Sequence, residues 1–182
     1  RAAERKGALQ ALVADESPDF LLLQETKAER EQLSDFLSDN EDYVQHYHSA
    51  QKKGYSGSSV WMRRETAKKL SNIEFSTQIP GAPNADEGRV SQLSFKRGKF
   101  QFDLLSIYFP NGGKSDEAWK EKLVFYDKTL AYMNAMREDG RIVIVGGDVN
   151  VAHNEIDIAR PQENDGKVGF HPKERAWVDR LI

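Results

Sequence analysis

The nine residues Ile142 to Asn150, with the sequence IVIVGGDVN, place the strongest constraint on how this chain can fold. Four consecutive β-branched apolar residues predict a strand that is buried on both faces. Two glycines follow and allow the backbone to turn sharply, so that Asp148 and Asn150 are presented just beyond the strand. Binding and catalytic groups are common at such strand ends, although the same residues also suit an ordinary strand cap and turn. The segment therefore predicts a buried strand with a candidate functional group at its end.

A second acid follows another predicted strand near the N-terminus. The spacing of apolar residues predicts a surface helix from Ala2 to Glu16, and residues 19–24 (DFLLLQ) predict a short buried strand. Glu25 comes directly after that strand, as Asp148 does after its own. An alternative is that Glu25 lies at the start of a helix, because residues 28–40 have helical spacing and acids are favoured near helix N-termini. The sequence leaves both interpretations open.

The next segment combines basic side chains with an aromatic residue in a turn. Residues 43–48 and 58–64 predict two strands, and KKGYSG between them predicts a turn with Tyr55 at its tip. Residues 52–69 contain six basic side chains and one acidic side chain, a local charge of about +5. Such a segment suits contact with a nucleic-acid backbone, but an ordinary solvated surface has the same composition.

A hairpin and two helices complete the pattern. Residues 89–95 and 100–109 predict two strands, of which the second alternates like a half-buried antiparallel strand and ends near Tyr108. Residues 115–137 carry apolar side chains at spacings of four and three, which predicts one long helix on the sheet. A further helix is predicted from Pro172. The roughly twenty residues before it have little periodicity, and long loops of this kind are usually functional.

The order of these elements and the composition limit the fold class and the location. Predicted hairpins outnumber plausible crossovers, which favours an α+β fold with mixed, largely antiparallel sheets covered by helices. A length of 182 residues suits a single domain, 1–182.

No apolar run approaches the ~20 residues that cross a bilayer, so no membrane partner is expected. The absence of cysteine excludes disulfides and thiolate zinc sites and fits a cytoplasmic or nucleoid location. With a net charge of −3, any binding of nucleic acid must depend on a local basic surface.

The residues with the most useful chemistry lie at or just past predicted strand ends: Glu25, Tyr108, Asp148, Asn150 and His153. Carboxylate oxygens without cysteine favour Mg²⁺, or Mn²⁺, over zinc, and Mg²⁺ usually takes only one or two protein carboxylates. One acid could hold the metal ion while the other activates water, and a phenol and amides could stabilise charge on a phosphate. The set predicts hydrolysis of a phosphoester.

Seven blocks of sequence, in order, resemble the exonuclease III family of abasic-site endonucleases. They are LLLQETK (21–27), KGYSG (53–57), GRV (88–90), YFPNG (108–112), GGDVN (146–150), AHNEIDIARPQEN (152–164) and GFHPKERAW (169–177). The last two blocks are typical of this DNA-repair branch within the wider endonuclease/exonuclease/phosphatase superfamily. The resemblance implies a deoxyribonuclease I-like fold, a four-layer α/β/β/α sandwich of two mixed, mainly antiparallel sheets flanked by helices.

The resemblance also implies an activity and roles for individual residues. The implied reaction is Mg²⁺-dependent hydrolysis of the phosphodiester 5′ to an abasic site in double-stranded DNA. The resemblance also implies trimming of blocked 3′ ends and 3′→5′ exonuclease action as part of base excision repair. A monomer is expected. Glu25 corresponds to the metal ligand and Asp148 to the residue that polarises the attacking water. Asn150 corresponds to a group that orients Asp148, and Tyr108 to a group that binds a phosphate oxygen. The positions that correspond to DNA contacts are Arg1, Lys6, Tyr55, Asn111, Lys114 and Asn164.

The chain also departs from the family pattern. The family's first strand with its asparagine, and its C-terminal part with further aspartates and an Asp-His pair, have no counterpart here, so both ends look truncated. His153 does not match the family's histidine. Two alternatives therefore stay open: a DNA-binding module that does not cut, and another phosphodiesterase or phosphatase of the superfamily.

Overall fold

The structure, a computed structural model, describes residues 6–182, apart from the side chain of Arg30. Short 3₁₀ turns lie at Arg30–Gln32, Ala85–Glu87 and Glu155–Asp157. The strands and helices of the described residues are α1 (Ala8–Glu16), β1 (Phe20–Gln24), α2 (Asp35–Ser38), β2 (Tyr43–His48), β3 (Ser58–Arg63), α3 (Arg64–Ala67), β4 (Ser71–Ser76), β5 (Val90–Arg97), β6 (Phe100–Tyr108), α4 (Asp116–Glu138), β7 (Ile142–Asp148), α5 (Pro161–Asn164) and α6 (Pro172–Leu181). None of these helices is both long and apolar enough to cross a membrane.

The strands form two sheets. The first has the order β1-β3-β2 and is antiparallel throughout. The second has the order β4-β5-β6-β7; its first two pairings are antiparallel, and β6 and β7 are parallel because the long helix α4 connects them. The prediction of mixed, mainly antiparallel sheets is therefore confirmed.

Three apolar clusters show that the sheets and helices are stacked in four layers. Leu93 and Leu104 belong to the cluster between the two sheets. On the outer face of the first sheet, Val13 of α1 packs with Trp61 of β3. On the outer face of the second sheet, α4 and α6 pack together around Trp177. The expected α/β/β/α sandwich is confirmed.

Strand β7 is present as predicted, but it is not buried on both faces. Val143 and Val145 pack against the α4 cluster, whereas Ile142 and Ile144 are 38% and 47% exposed. The reason is that β7 lies at the edge of its sheet, with β6 as its neighbour in the described part of the chain. Four β-branched residues in a row cannot distinguish a central strand from an edge strand whose second face is open.

The two glycines of β7 allow close packing, where the sequence had predicted a sharp turn. Both lie in the strand, and neither has a positive φ. A Cβ on Gly146 would lie 2.6 Å from the side chain of Leu22 in β1, and a Cβ on Gly147 would lie 2.0 Å from the carbonyl oxygen of Ile107. Because these glycines have no side chains, β7 packs closely against β1 of the first sheet and against β6 of its own sheet. This close packing fixes where Asp148 emerges.

Other differences follow from tertiary packing. Residues 28–40 form a 3₁₀ turn and the short helix α2 where a continuous helix was expected. Strand β6 is central, and most of it is buried on both faces, where a half-buried strand was predicted. Strand β4 was not predicted at all. The first residues of the predicted helix 2–16 lie outside the described part, and its remainder is α1.

The basic segment 52–69 does not form one surface, and contact of part of it with a nucleic-acid backbone stays a prediction. Lys52 and Lys53 precede β3, whereas Arg64 and Lys68 follow it. A six-residue strand separates the two groups by roughly 20 Å. The second group also lies among acids; for example, Lys68 is 2.5 Å from Glu65.

Candidate active site

Three strand ends from the two sheets meet at one rim of the sandwich. Glu25 follows β1, while Tyr108 and Asp148 end the neighbouring parallel strands β6 and β7 and are partners in the register. The hydroxyl of Tyr108 donates to Oε1 of Glu25 at 2.6 Å, which joins the two sheets. The sequence placed these residues at strand ends, and the structure brings them together.

The carboxylate of Glu25 is exposed and lies beside a cation. Oε2 lies 2.7 Å from Nζ of Lys27, and both residues have left-handed backbone conformations, with φ of 53° and 48°. The hydrogen bonds from Lys27 and Tyr108 lower the pKa of Glu25. The group is therefore an anion at neutral pH, and the local field favours a positive charge next to it.

Tyr108 is held as a protonated hydrogen-bond donor. Burial raises its pKa to about 12, and the hydrogen bond to Glu25 adds to the shift. Arg89, which is buried, stacks 5.1 Å from the ring centre and donates from Nη1 to the carbonyl oxygen of Tyr108 at 3.1 Å. The phenol can therefore donate to a nearby anion throughout the physiological range.

Asp148, Asn150 and Asn111 form a connected group at the same rim. The backbone N–H of Asn150 donates to Oδ1 of Asp148 at 2.9 Å. Asn150 has φ 52°, and its Nδ2 donates to the carbonyl oxygen of Phe109 at 2.8 Å. Nδ2 of Asn111 in turn donates to Oδ1 of Asn150 at 3.3 Å. The exposed carboxylate of Asp148 is therefore oriented by its own loop.

The residues implied to contact DNA have different surroundings. The hydroxyl of Tyr55 accepts from Nη2 of Arg89 at 3.2 Å, so that Tyr55 is linked to Tyr108 through one guanidinium. Lys114 is exposed between Asn111 and the start of α4, and Lys6 is exposed before α1. Arg1 lies outside the described residues.

Asn164 is held within its own loop. Its Nδ2 donates to the carbonyl oxygens of Ala159 and Arg160, each at 3.0 Å. No hydrogen bond found in the described residues links it to the group around Asp148.

The sequence interpretation missed several residues that shape the site. Arg89 was read only as part of a block, although it contacts both tyrosines of the rim. Lys122 received no role in the sequence analysis, yet it is fully buried and contacts the backbone of both asparagines. The available indication was its position on α4, three residues after Trp119 and four before Tyr126, which places it on the apolar face.

His153 is paired, although the sequence gave it no partner. Its Nε2 lies 2.6 Å from Oδ1 of Asp179 on α6, and Arg175 donates to its carbonyl oxygen at 2.7 Å. These contacts attach the long loop after β7 to the last helix.

The rim suits an oxygen-liganded divalent cation. No cluster of three or more His, Cys, Asp or Glu side chains with metal-ligand spacing occurs within residues 6–182. Glu25 offers an exposed anionic carboxylate whose second oxygen already attracts an ammonium group. One such carboxylate, with water and phosphate oxygens completing the shell, is the kind of ligand set that a hard divalent cation takes.

Comparison with known proteins places this geometry in context. Residues 1–180 match the model of the Endonuclease/Exonuclease/phosphatase family. An exodeoxyribonuclease from Bacillus subtilis is 31% identical over 183 residues, which cover all of this chain and 67% of that protein. A DNA-(apurinic or apyrimidinic site) endonuclease from Dictyostelium discoideum is 35% identical over 176 residues, which cover 93% of this chain and 44% of that protein.

Solved structures agree with the sequence matches. An AP endonuclease from Leishmania major has a TM-score of 0.78 and 25% identity, over 97% of this chain and 60% of that one. The chain thus spans about two thirds or less of the length of these relatives.

Proposed function

Since this chain belongs to the endonuclease/exonuclease/phosphatase family, we propose that it is the greater part of a DNA-repair nuclease. The proposed reaction is hydrolysis of the phosphodiester 5′ to an abasic site, which leaves a 3′-hydroxyl. Removal of 3′ blocking groups and 3′→5′ exonuclease action would use the same rim. The proposed substrate is double-stranded DNA with an abasic site or a blocked 3′ end, bound by a monomer in the cytoplasm.

The observation that carries this proposal is the meeting of Glu25, Tyr108 and Asp148 at one rim. They provide an exposed carboxylate that could hold a metal ion, a phenol donor and a second carboxylate, which are groups suited to phosphodiester hydrolysis. The relatives named as an exodeoxyribonuclease and an abasic-site endonuclease support DNA as the substrate.

In the proposed mechanism Asp148 accepts a proton from the attacking water. The water oxygen bonds to phosphorus, the bond from phosphorus to the 3′ oxygen breaks, and that oxygen takes a proton from solvent and leaves as the 3′-hydroxyl. Asn150 keeps Asp148 oriented through the 2.9 Å bond from its backbone N–H. Tyr108 would turn its one O–H from Glu25 to a phosphate oxygen as negative charge develops there, and Asn111 would bind another through its amide.

Hydrolysis in this family depends on a divalent metal ion, and we propose Mg²⁺ at Glu25, with Mn²⁺ as a substitute. When bound, the ion stabilises negative charge on the phosphate. Lys27, now paired with Glu25, would have to move from Oε2 or share it.

The proposed DNA contacts lie on both sides of this rim. Tyr55 would enter the duplex groove while Arg89 holds its hydroxyl, and nearby Lys52 adds positive charge, with Nζ 5.4 Å from the ring centre. Phosphate contacts of this kind position the duplex without reading its sequence. The further proposed contacts are Arg1, Lys6, Asn111, Lys114 and Asn164.

The direct test is incision of an end-labelled duplex with one tetrahydrofuran abasic analogue. The full-length protein should cut on the 5′ side of the analogue with Mg²⁺ and should not cut with a chelator. The same duplex without the analogue measures exonuclease action, and a simple phosphomonoester measures phosphatase action. Faster hydrolysis of the phosphomonoester than of the abasic duplex would overturn the proposal.

Tyr108→Phe is expected to lower the incision rate about 10²- to 10³-fold, because it removes one donor to the developing charge and leaves the ring in place. Since the wild-type phenol keeps its proton up to about pH 12, the loss should be equal near pH 7 and near pH 9. A loss that shrinks at the higher pH would show that the hydroxyl loses its proton in that range, and a wild-type rate for Tyr108→Phe at pH 7 would exclude the hydroxyl as the donor. Single-turnover rates at the two pH values measure this.

A further inference from the structure

A buried ion pair lies directly beneath the candidate active site. Lys122 of α4 and Glu174 of α6 both have no exposed side-chain surface, and Nζ lies 2.5 Å from Oε1. Replacing buried pairs of this kind with apolar residues is often neutral or even stabilising, so their presence is weak support for a role in stability alone. The other contacts of the pair indicate what it does.

The ammonium group of Lys122 holds the two loops that carry the site asparagines. Nζ donates to the backbone carbonyl oxygens of Asn111 at 3.1 Å and Asn150 at 2.7 Å. With Glu174, these two acceptors use all three N–H groups of the lysine. Gly112 makes room for the lysine stem, because a Cβ there would lie 2.8 Å from Cδ of Lys122.

The same face of α4 holds the neighbouring residue of the loop after β7. Tyr126, one turn after Lys122, donates from its hydroxyl to the carbonyl oxygen of Val149 at 2.6 Å. Burial raises the pKa of Tyr126, which keeps the donated proton in place. Two consecutive carbonyls are thus fixed where Asn150 has its left-handed φ of 52°.

Glu174 connects this arrangement to the last helix. Its Oε2 accepts from the backbone N–H groups of Gly169 at 2.8 Å and His171 at 3.1 Å. The carboxylate therefore caps the start of α6 and places the lysine at the same time.

We propose that Lys122 and Glu174 are positioning residues that set the distance between Asn111 and Asn150 and thereby the orientation of Asp148. This role rests on the proposed function for its effect on catalysis, but the positioning of the asparagines can be measured without it. Neither residue touches the substrate in this proposal. Both act through the backbone carbonyls that they hold.

The test uses the double variant Lys122→Met with Glu174→Gln in the full-length protein. Methionine fills the volume of the lysine stem, and glutamine can still accept from Gly169 and His171. Lys122→Met alone would leave a buried carboxylate unpaired and could fail to fold, so the double variant is the informative one. We expect kcat for incision to fall by about 10- to 100-fold with KM within about threefold, since the positioning of reacting groups is lost and substrate contacts remain.

A second measurement is independent of activity. The side-chain amide resonances of Asn111 and Asn150, observed by NMR in ¹⁵N-labelled protein, are expected to shift and broaden in the double variant. Resonances of the sheets should remain at their wild-type positions.

The matched control replaces another ion pair that includes a buried residue, Asp103→Asn with Arg141→Met. Asp103 is fully buried and contacts Arg141. It lies five residues before Tyr108 on β6, roughly 17 Å from the rim. This control should leave kcat and both asparagine resonances unchanged.

Each outcome decides the matter. A wild-type kcat, unchanged asparagine resonances or an equal loss of kcat in the control would each overturn the positioning role. If the wild-type protein fails to cut abasic DNA but the asparagine resonances shift in the double variant, the result would support the positioning role and refute the proposed function.

Discussion

Trp177→Ala is expected to lower the free energy of unfolding by about 3–5 kcal/mol, the usual range for removing a large aromatic side chain from a core. Trp177 is 1% exposed, and its ring stacks on Tyr126 with centroids 4.2 Å apart. Its Nε1 also donates to the carbonyl oxygen of Tyr126 at 2.8 Å, and its ring packs against Phe109 in a T-shaped arrangement with centroids 5.4 Å apart. The substitution would therefore leave a cavity between α4 and α6 and remove the side-chain hydrogen bond that joins the two helices. Urea unfolding curves fitted with a shared slope measure the loss.

Two controls separate the parts of this effect. Trp177→Phe keeps a ring in the core but removes the donor, so its loss should be clearly smaller. Ile156→Ala, at a position that is 92% exposed, should change the free energy by no more than about 0.5 kcal/mol. A loss below about 1 kcal/mol for Trp177→Ala would show that α6 is not packed on α4 as described.

The strand ends could be predicted from sequence because their determinants are local. An apolar run followed by a polar residue marks the end of a buried strand, and this rule identified Glu25, Tyr108 and Asp148 before their spatial relation was known. The relation itself depends on how the two sheets stack, which apolar periodicity does not encode. The position of all three residues at strand ends suggested one rim, and the resemblance to a family supported it.

The residues that hold the site in place could not be predicted, because the contacts between them join distant parts of the sequence. Lys122 and Glu174 are 52 positions apart, and although the spacing of Lys122 places it on the apolar face of α4, nothing in the local sequence indicates Glu174 as its partner. Only the burial of both reveals that they form a pair. The exposed face of β7 was missed for the same reason, since it depends on which strands lie beside it and not on its own sequence.

The long loop after β7 shows the limit of a compositional argument. Its low periodicity predicted a functional segment, and the structure gives it a 3₁₀ turn and the short helix α5. His153 ties it to α6 through Asp179, while Asn164 donates to its own loop. These contacts show how the loop is anchored. The contact of this loop with DNA stays a proposal, and Asn164 is the residue proposed to make it.

Asp148→Asn is expected to slow incision of the abasic duplex about 10²- to 10⁴-fold, the range for loss of a general base. An asparagine has the same size and can still accept the N–H of Asn150 through Oδ1, so the loop should keep its shape. What it cannot do is take a proton from water. Binding of the duplex, measured by fluorescence anisotropy with a chelator present, should change little and keep its dependence on salt.

The matched control for Asp148 is Asp139→Asn, which removes one negative charge from an exposed position between α4 and β7, at the opposite end of the strand. It should cut at the wild-type rate. Incision by Asp148→Asn within about threefold of wild type would exclude Asp148 as the base. If neither the wild type nor the variant cuts, but both bind DNA with the same salt dependence, the chain is a DNA-binding module. Loss of incision with retained binding in Asp148→Asn alone is the result that separates an enzyme from such a module, because the substitution changes the chemistry of one carboxylate and leaves its hydrogen bonds in place.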